Sequence, residues 1–278
     1  MIGSLQTGVN GLQQFQEDLQ VIGNNIANVN TVGYKSATMD FEDQLSQNLA
    51  GGSGNPMQIG EGVTTGAINS NFTQGTVNTT GVTTDLAING NGFFLVKDAS
   101  SGLTYATRDG EFNMDANGYL VNANGNRLQG LMGASSTASD LQINSAAAIA
   151  ALNDTTTPAP TLESYKINAS GQITASLSDG TSGAIGQITL QNFINPQALV
   201  KEGGNVYSFS ADAGPLAAPG TPNTAGLGQI QTGALESSNV DLAGQMAGLI
   251  TAQRAFEANA KIITTSDEVL QTLVNLKR

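Results

Sequence analysis

Five apolar residues near the end of the chain, Leu242, Leu249, Phe256, Ile263 and Leu270, recur at steps of seven. Met246, Ala260 and Val274 each fall four residues after a member of that row. A step of seven returns to nearly the same helix face, so the pattern describes a heptad seam sustained over about five repeats. No Gly or Pro follows Gly248, and Ser238 with Asp241 fits a capping box at the start. Lys277 and Arg278 complement the negative end of the helix dipole. The beginning of the chain repeats the theme. Leu5, Leu12, Leu19 and Ile26 step by seven, Phe15, Ile22 and Val29 form a second row, and Val9 lies between Leu5 and Leu12. This predicts a helix over 4–29, roughly 40 Å long at 1.5 Å per residue, with Gly33 as its stop signal. Two amphipathic helices at the extreme ends need cover for their apolar stripes, from each other or from other chains. Because the middle reads as able to form its own core, we expect Leu5, Leu12, Leu19, Ile22, Ile26, Leu242, Met246, Leu249, Phe256, Ile263 and Leu270 to be self-assembly residues.

Between the ends the period changes. Short apolar runs at 85–88, 92–96, 103–107, 119–122, 165–167, 172–177, 185–193 and 205–209 are bounded by turn residues. Asn89-Gly90, Asn91-Gly92, Asn117-Gly118, Asn124-Gly125 and Asp179-Gly180 are turn signals, because both residue types tolerate positive φ. Many short strands at this spacing predict an all-β sandwich or irregular barrel. The fold class expected is therefore α+β, an all-β domain with helices at both termini. Residues 44–58, with Gly51, Gly52 and Gly54, read as a connector and hinge. Residues 133–161, rich in Ala, Ser and Thr, read as loop with a short helix around 145–152.

The chain lacks Cys, His and Trp. That excludes thiol catalysis, disulfides, Cys/His zinc sites and any Ser-His-Asp triad. Lys and Arg total 10 against 22 acidic residues, a net charge of -12, so no basic run could neutralise a phosphate backbone and nucleic acid is not an expected partner. No apolar run approaches the ~20 residues of a membrane span, and no membrane insertion is expected. The start has neither a basic stretch nor a continuous apolar segment, so no cleaved signal peptide is expected.

Three motifs invite a sharper reading and fail. Asn113-x-Asp115-x-Asn117-Gly118 resembles the first half of a calcium loop, but Asn124 stands where a bidentate Glu is needed. Asp109, Glu111 and Asp115 crowd one hairpin without a cleft. Gly90-x-Gly92 lacks the third glycine of a dinucleotide fingerprint. Neither an enzymatic activity, a cofactor nor a metal is expected.

The run Val21-Ile-Gly-Asn-Asn-Ile-Ala-Asn-Val-Asn-Thr-Val-Gly-Tyr34-Lys35 resembles the N-terminal signature of bacterial flagellar hook and basal-body rod proteins. Asn24, Asn25, Ala27, Asn28, Gly33 and Lys35 carry it. Phe41-Glu-Asp, the run from Asp85 to Phe94, Thr107-Arg-Asp-Gly-Glu-Phe112, the run from Gly233 to Leu242 and Ala252-Gln-Arg-Ala-Phe256 are similar to the same family. The resemblance implies a tubular homopolymer. It implies an inner polymerisation domain of paired coiled-coil-like helices (1–33 with 239–278), a connector (34–70 with 233–238) and an outer β domain (71–232). It also implies export through the flagellar type III apparatus, an extracellular hook or basal-body location, and neighbours such as distal rod, hook cap and hook-filament junction. The final seventeen residues and Gly186–Phe193 look closest to a short flexible hook protein that transmits torque and encloses the export channel. Distal or proximal rod is the alternative.

Overall fold

The computed structural model describes residues 2–49, 57–133, 137–144, 161–215 and 219–276. Gly51, Gly52, Gly54 and the short helix expected around 145–152 lie outside them. The chain divides into two compact units, one formed by 1–29, 35–71 and 240–278, the other by 30–34 and 72–239.

The first unit contains α1 (Ile2–Ala27) and α2 (Leu242–Leu276). They pack antiparallel. Gly8 lies against Ile263, Gly11 against the Asn259 side chain, and Ile22 against Gly248. A Cβ on Gly11 would stand 3.0 Å from the Asn259 amide, so the glycines let the helices approach closely. With 35 residues against 26, α2 runs on past the start of α1. Its cap differs from the sequence expectation. Asp241 stands immediately before Leu242 and accepts from Ala243 N at 3.1 Å, so the N-cap is Asp241 and not Ser238.

Residues 34–70, expected as a connector, hold a hairpin instead. Strand Ala37–Asp43 pairs antiparallel with Val63–Ser70, and Gln47–Leu49 pairs with Met57–Ile59. Phe41 meets Phe15 of α1 at 5.5 Å, and Thr65 bonds Gln14 and Glu17. This segment thus belongs with the helices, whereas 233–238 belongs with the second unit. Alternation of small and polar residues in VTTGAINS hides the strand, because only one of its faces meets a neighbour.

The second unit is built on an antiparallel sheet whose strands run in the order 162–167, 172–177, 182–188, 127–132, 93–97, 104–107, 206–208 and 200–203. Phe93–Val96 is a continuous buried run in a central strand. The expected strand over 185–193 breaks at Thr189 into 182–188 and 190–191. Two small ladders, 86–89 with 229–232 and 77–79 with 234–236, complete the unit. Phe94, Phe112, Leu120, Leu128, Leu141 and Ile173 are fully buried in one core, with Phe94 and Phe112 edge-on at 5.5 Å.

Phe112→Ala should therefore lower the unfolding free energy of the β unit by about 3–5 kcal/mol, and Phe112→Leu by less than about 1.5 kcal/mol. Urea unfolding monitored by circular dichroism measures both.

Candidate assembly surface and signature residues

A helix in a pair buries one stripe and leaves the rest to solvent. On α2 the covered stripe runs through Gln245, Gly248, Leu249, Ala252, Phe256, Asn259, Ile263 and, toward the end, Leu270. Of the expected self-assembly residues, Leu249, Phe256, Ile263 and Leu270 are half-buried there. Leu242 and Met246 are exposed. On α1, Ile22 is buried, and Leu5, Leu12, Leu19 and Ile26 are half-buried. The most covered positions of α1 are Gly8, Gly11, Ile22 and Asn25. Counting large apolar residues missed the glycines, although their three-residue spacing on one face was a legible signal for close helix approach.

Among the uncovered positions of α2, beside charged ones such as Arg254, Glu257, Lys261 and Glu268, are rows of apolar residues. Ile262, Val269, Leu273 and Leu276 follow one another at steps of seven, four and three and are all exposed, Leu276 at 82%. Leu242, Met246 and Ile250 form a second exposed row at steps of four. Singly exposed aliphatics are ordinary, whereas contiguous rows on a helix mark a surface that another element covers.

The signature residues have structural tasks. Asn25 is buried, donates to Ala37 O at 2.7 Å and Gln245 Oε1 at 3.0 Å, and accepts from Ala37 N at 3.0 Å. One side chain thereby joins α1, the hairpin and α2. Asn28 donates to Asn24 O and Oδ1, both at 2.9 Å, closing the last turn of α1. Ala27 ends α1, and Lys35 is fully buried. Gly33 belongs to the β unit, where its φ of +68° and its amide bond to Glu236 O at 2.8 Å turn the chain.

The acidic residues of the 109–115 hairpin are absorbed by turns. Asp115 Oδ1 accepts from Asn117 N at 2.9 Å and Tyr119 N at 2.8 Å, and Asp109 Oδ1 accepts from Glu111 N at 3.1 Å. Burial pushes the Asp109 carboxyl up to about 6, with Glu111 and Asp85 adding repulsion against the Glu111 amide bond.

Three family models match along the chain: Flagella basal body rod protein over 5–35, Flagellar hook protein FlgE/F/G D1 domain over 87–175, and Flagellar basal body rod FlgEFG protein C-terminal over 231–276. The chain is 39% identical over 287 aligned residues to the flagellar basal-body rod protein FlgG of Bacillus subtilis (strain 168), covering 100% of each. It belongs to the flagellar hook and basal-body rod family. Among other members, it is 35% identical over 290 residues to FlgG of Borreliella burgdorferi. It is 27% identical over 444 residues to the flagellar hook protein FlgE of that organism, again covering 100% of each.

A raised carboxyl pKa means that the folded state holds its proton more tightly than the unfolded chain. Asp109 therefore contributes stability that is fully present below the ordinary value of 3.8 and is lost as pH rises through about 6. Asp109→Asn removes that loss. The difference in Tm between variant and wild type should grow in the variant's favour from pH 4 to pH 7 and then level off. Calorimetry across that range measures it, and a pH-independent difference would contradict the assignment.

Proposed function

We propose that this chain is a structural subunit of the flagellar axis, a basal-body rod protein, which polymerises through the α1–α2 unit and carries the β unit as its outer part. One observation supports rod over the hook expected from the tail sequence. Alignment with the rod protein FlgG of Bacillus subtilis runs end to end over 287 residues at 39% identity. The hook relatives need 444 and 467 aligned residues at 27%. The hook relatives carry long stretches for which this chain has no counterpart, whereas the rod relatives match it in length. A hook subunit remains the second reading, favoured by the resemblance of 186–193 and of the last seventeen residues to short hook proteins.

On this reading the partners are further copies of the chain, the adjoining axial proteins, and the type III export apparatus that delivers the subunit beyond the cell membrane. The exposed rows on α2 are the surfaces a neighbouring copy would cover, alongside the half-buried Leu5, Leu12, Leu19 and Ile26 rows of α1. The work is mechanical, and no catalytic group is assigned.

Val269→Glu with Leu273→Glu tests the assembly surface. Each buried aliphatic contributes about 1.5–3 kcal/mol, so losing two weakens each addition step by roughly a hundredfold or more. The doubly substituted chain should fail to polymerise while its far-ultraviolet dichroism and β-unit unfolding stay as in the wild type. Normal polymer yield would remove this face from the interface. Electron microscopy of a strain lacking the protein separates the two readings. Basal bodies without a completed rod support the rod assignment, and intact rods without hooks support the other.

A further inference from the structure

The chain passes between its two units at 29/30, 34/35, 71/72 and 239/240. The parts of the β unit that flank those passages are 30–34, 72–76 and 234–239. They are far apart in sequence, and all three converge on one buried residue. Glu236 is 1% exposed and uses every acceptor it has. Its backbone oxygen accepts from Gly33 N at 2.8 Å. Its Oε1 accepts from Gly75 N at 2.8 Å, and its Oε2 accepts from Arg108 Nη1 at 3.2 Å. Arg108 in turn donates from Nη2 to Gly90 O at 2.9 Å and lies over the Phe93 ring at 5.1 Å. This ties the assembly to the central strand of the sheet.

Further bonds bind the three segments to one another. Ser237 N donates to Thr76 O at 2.8 Å, and the Asn239 amide donates to Thr73 O at 3.1 Å and Oγ1 at 3.0 Å. Asn205 Nδ2 holds Val32 O at 3.0 Å, and the Lys201 ammonium sits over the Tyr34 ring at 4.8 Å. Phe72, the first residue of its segment, packs on Phe93 and Tyr207, each at 5.6 Å. Two close approaches admit only glycine. A Cβ on Gly33 would meet the Arg108 carbonyl carbon at 2.7 Å, and one on Gly75 would meet Ser237 O at 2.0 Å.

We propose that the Arg108–Glu236 pair is an anchor at which all passages of the chain out of the β unit are tied together. A pull on any passage is then borne by the buried Glu236, through its backbone oxygen for 30–34 and its carboxylate for 72–76, and not by peeling of a single strand. The reason is geometric. Interactions that hold a strand edge open one after another under load, whereas bonds converging on one enclosed residue are loaded together. Arg108 and Glu236 act here as positioning residues for the exits, and the hydrophobic core around Phe94 and Phe112 does not depend on them. The inference concerns the β unit alone and holds for either axial assignment.

Hydrogen–deuterium exchange on the full chain in dilute solution tests it. Two variants are compared with wild type. Glu236→Gln keeps the shape but removes the charge pair, and the double replacement Arg108→Met with Glu236→Leu removes both charges together. Peptides covering 30–34, 72–76 and 233–239 should exchange at least tenfold faster in both variants. Peptides covering 93–97, 127–132 and 172–177 should keep wild-type protection. If the single variant loses its fold, the double variant decides, since it leaves no buried charge unpaired. Unchanged exchange at the three segments, or faster exchange only in step with the core peptides, would overturn the proposal. Unfolding of both variants as a whole counts as the latter.

Discussion

A charge enclosed by protein is tolerable only when its bonds to water are replaced, and the β unit is arranged around one such replacement. Arg108 and Glu236 are 5% and 1% exposed and share a single bond at 3.2 Å. Burial pushes the Arg108 guanidinium pKa down, and the neighbouring carboxylate pushes it back up. A buried pair of this kind adds little net stability compared with an apolar substitute, but losing one partner is costly. Its value lies in specificity. An apolar contact would accept many registers, whereas Glu236 accepts Gly33, Gly75 and Arg108 in one arrangement only. Among the buried side-chain atoms of the described residues, Arg108 Nε alone is without a hydrogen-bond partner.

The helical unit follows a different logic. Its closest contacts come from small residues, Gly8 and Gly11 on α1 with Gly248 and Ala252 on α2, and its polar joint is Asn25 with Gln245. Packing through small residues brings backbones together yet covers little apolar area. The larger aliphatics are therefore left at the flanks, half-buried or exposed. This leaves large residues of α2 uncovered, which is the basis on which α2 is proposed as an assembly element. The hairpin at 37–43 and 63–70 rests on the same helices through Phe41 and Thr65, so the segment that reads as a linker is part of that unit.

Sequence periodicity by itself determined the two terminal helices, the β character of the middle, some of the strands (93–97, 104–107 and 172–177 among them, though not the central 127–132) and the turns at Asn-Gly pairs. All of these depend on residues within a few positions of one another, where local sterics and amphipathic spacing act. The family was legible for the same reason, since its signature is a continuous run. Tertiary structure decided what depends on distant partners. Heptad counting placed Leu242 and Met246 in the seam, but the face a helix buries is set by the shape of the neighbour it meets, and that neighbour favoured glycine and alanine. The strand at 63–70 has too weak an alternation to announce itself without the helix that covers one side. Arg108 and Glu236 stand 128 positions apart, and neither carries a local mark of its burial. Only the folded chain brings them together, because the enclosure that makes their pairing necessary is created by the fold itself.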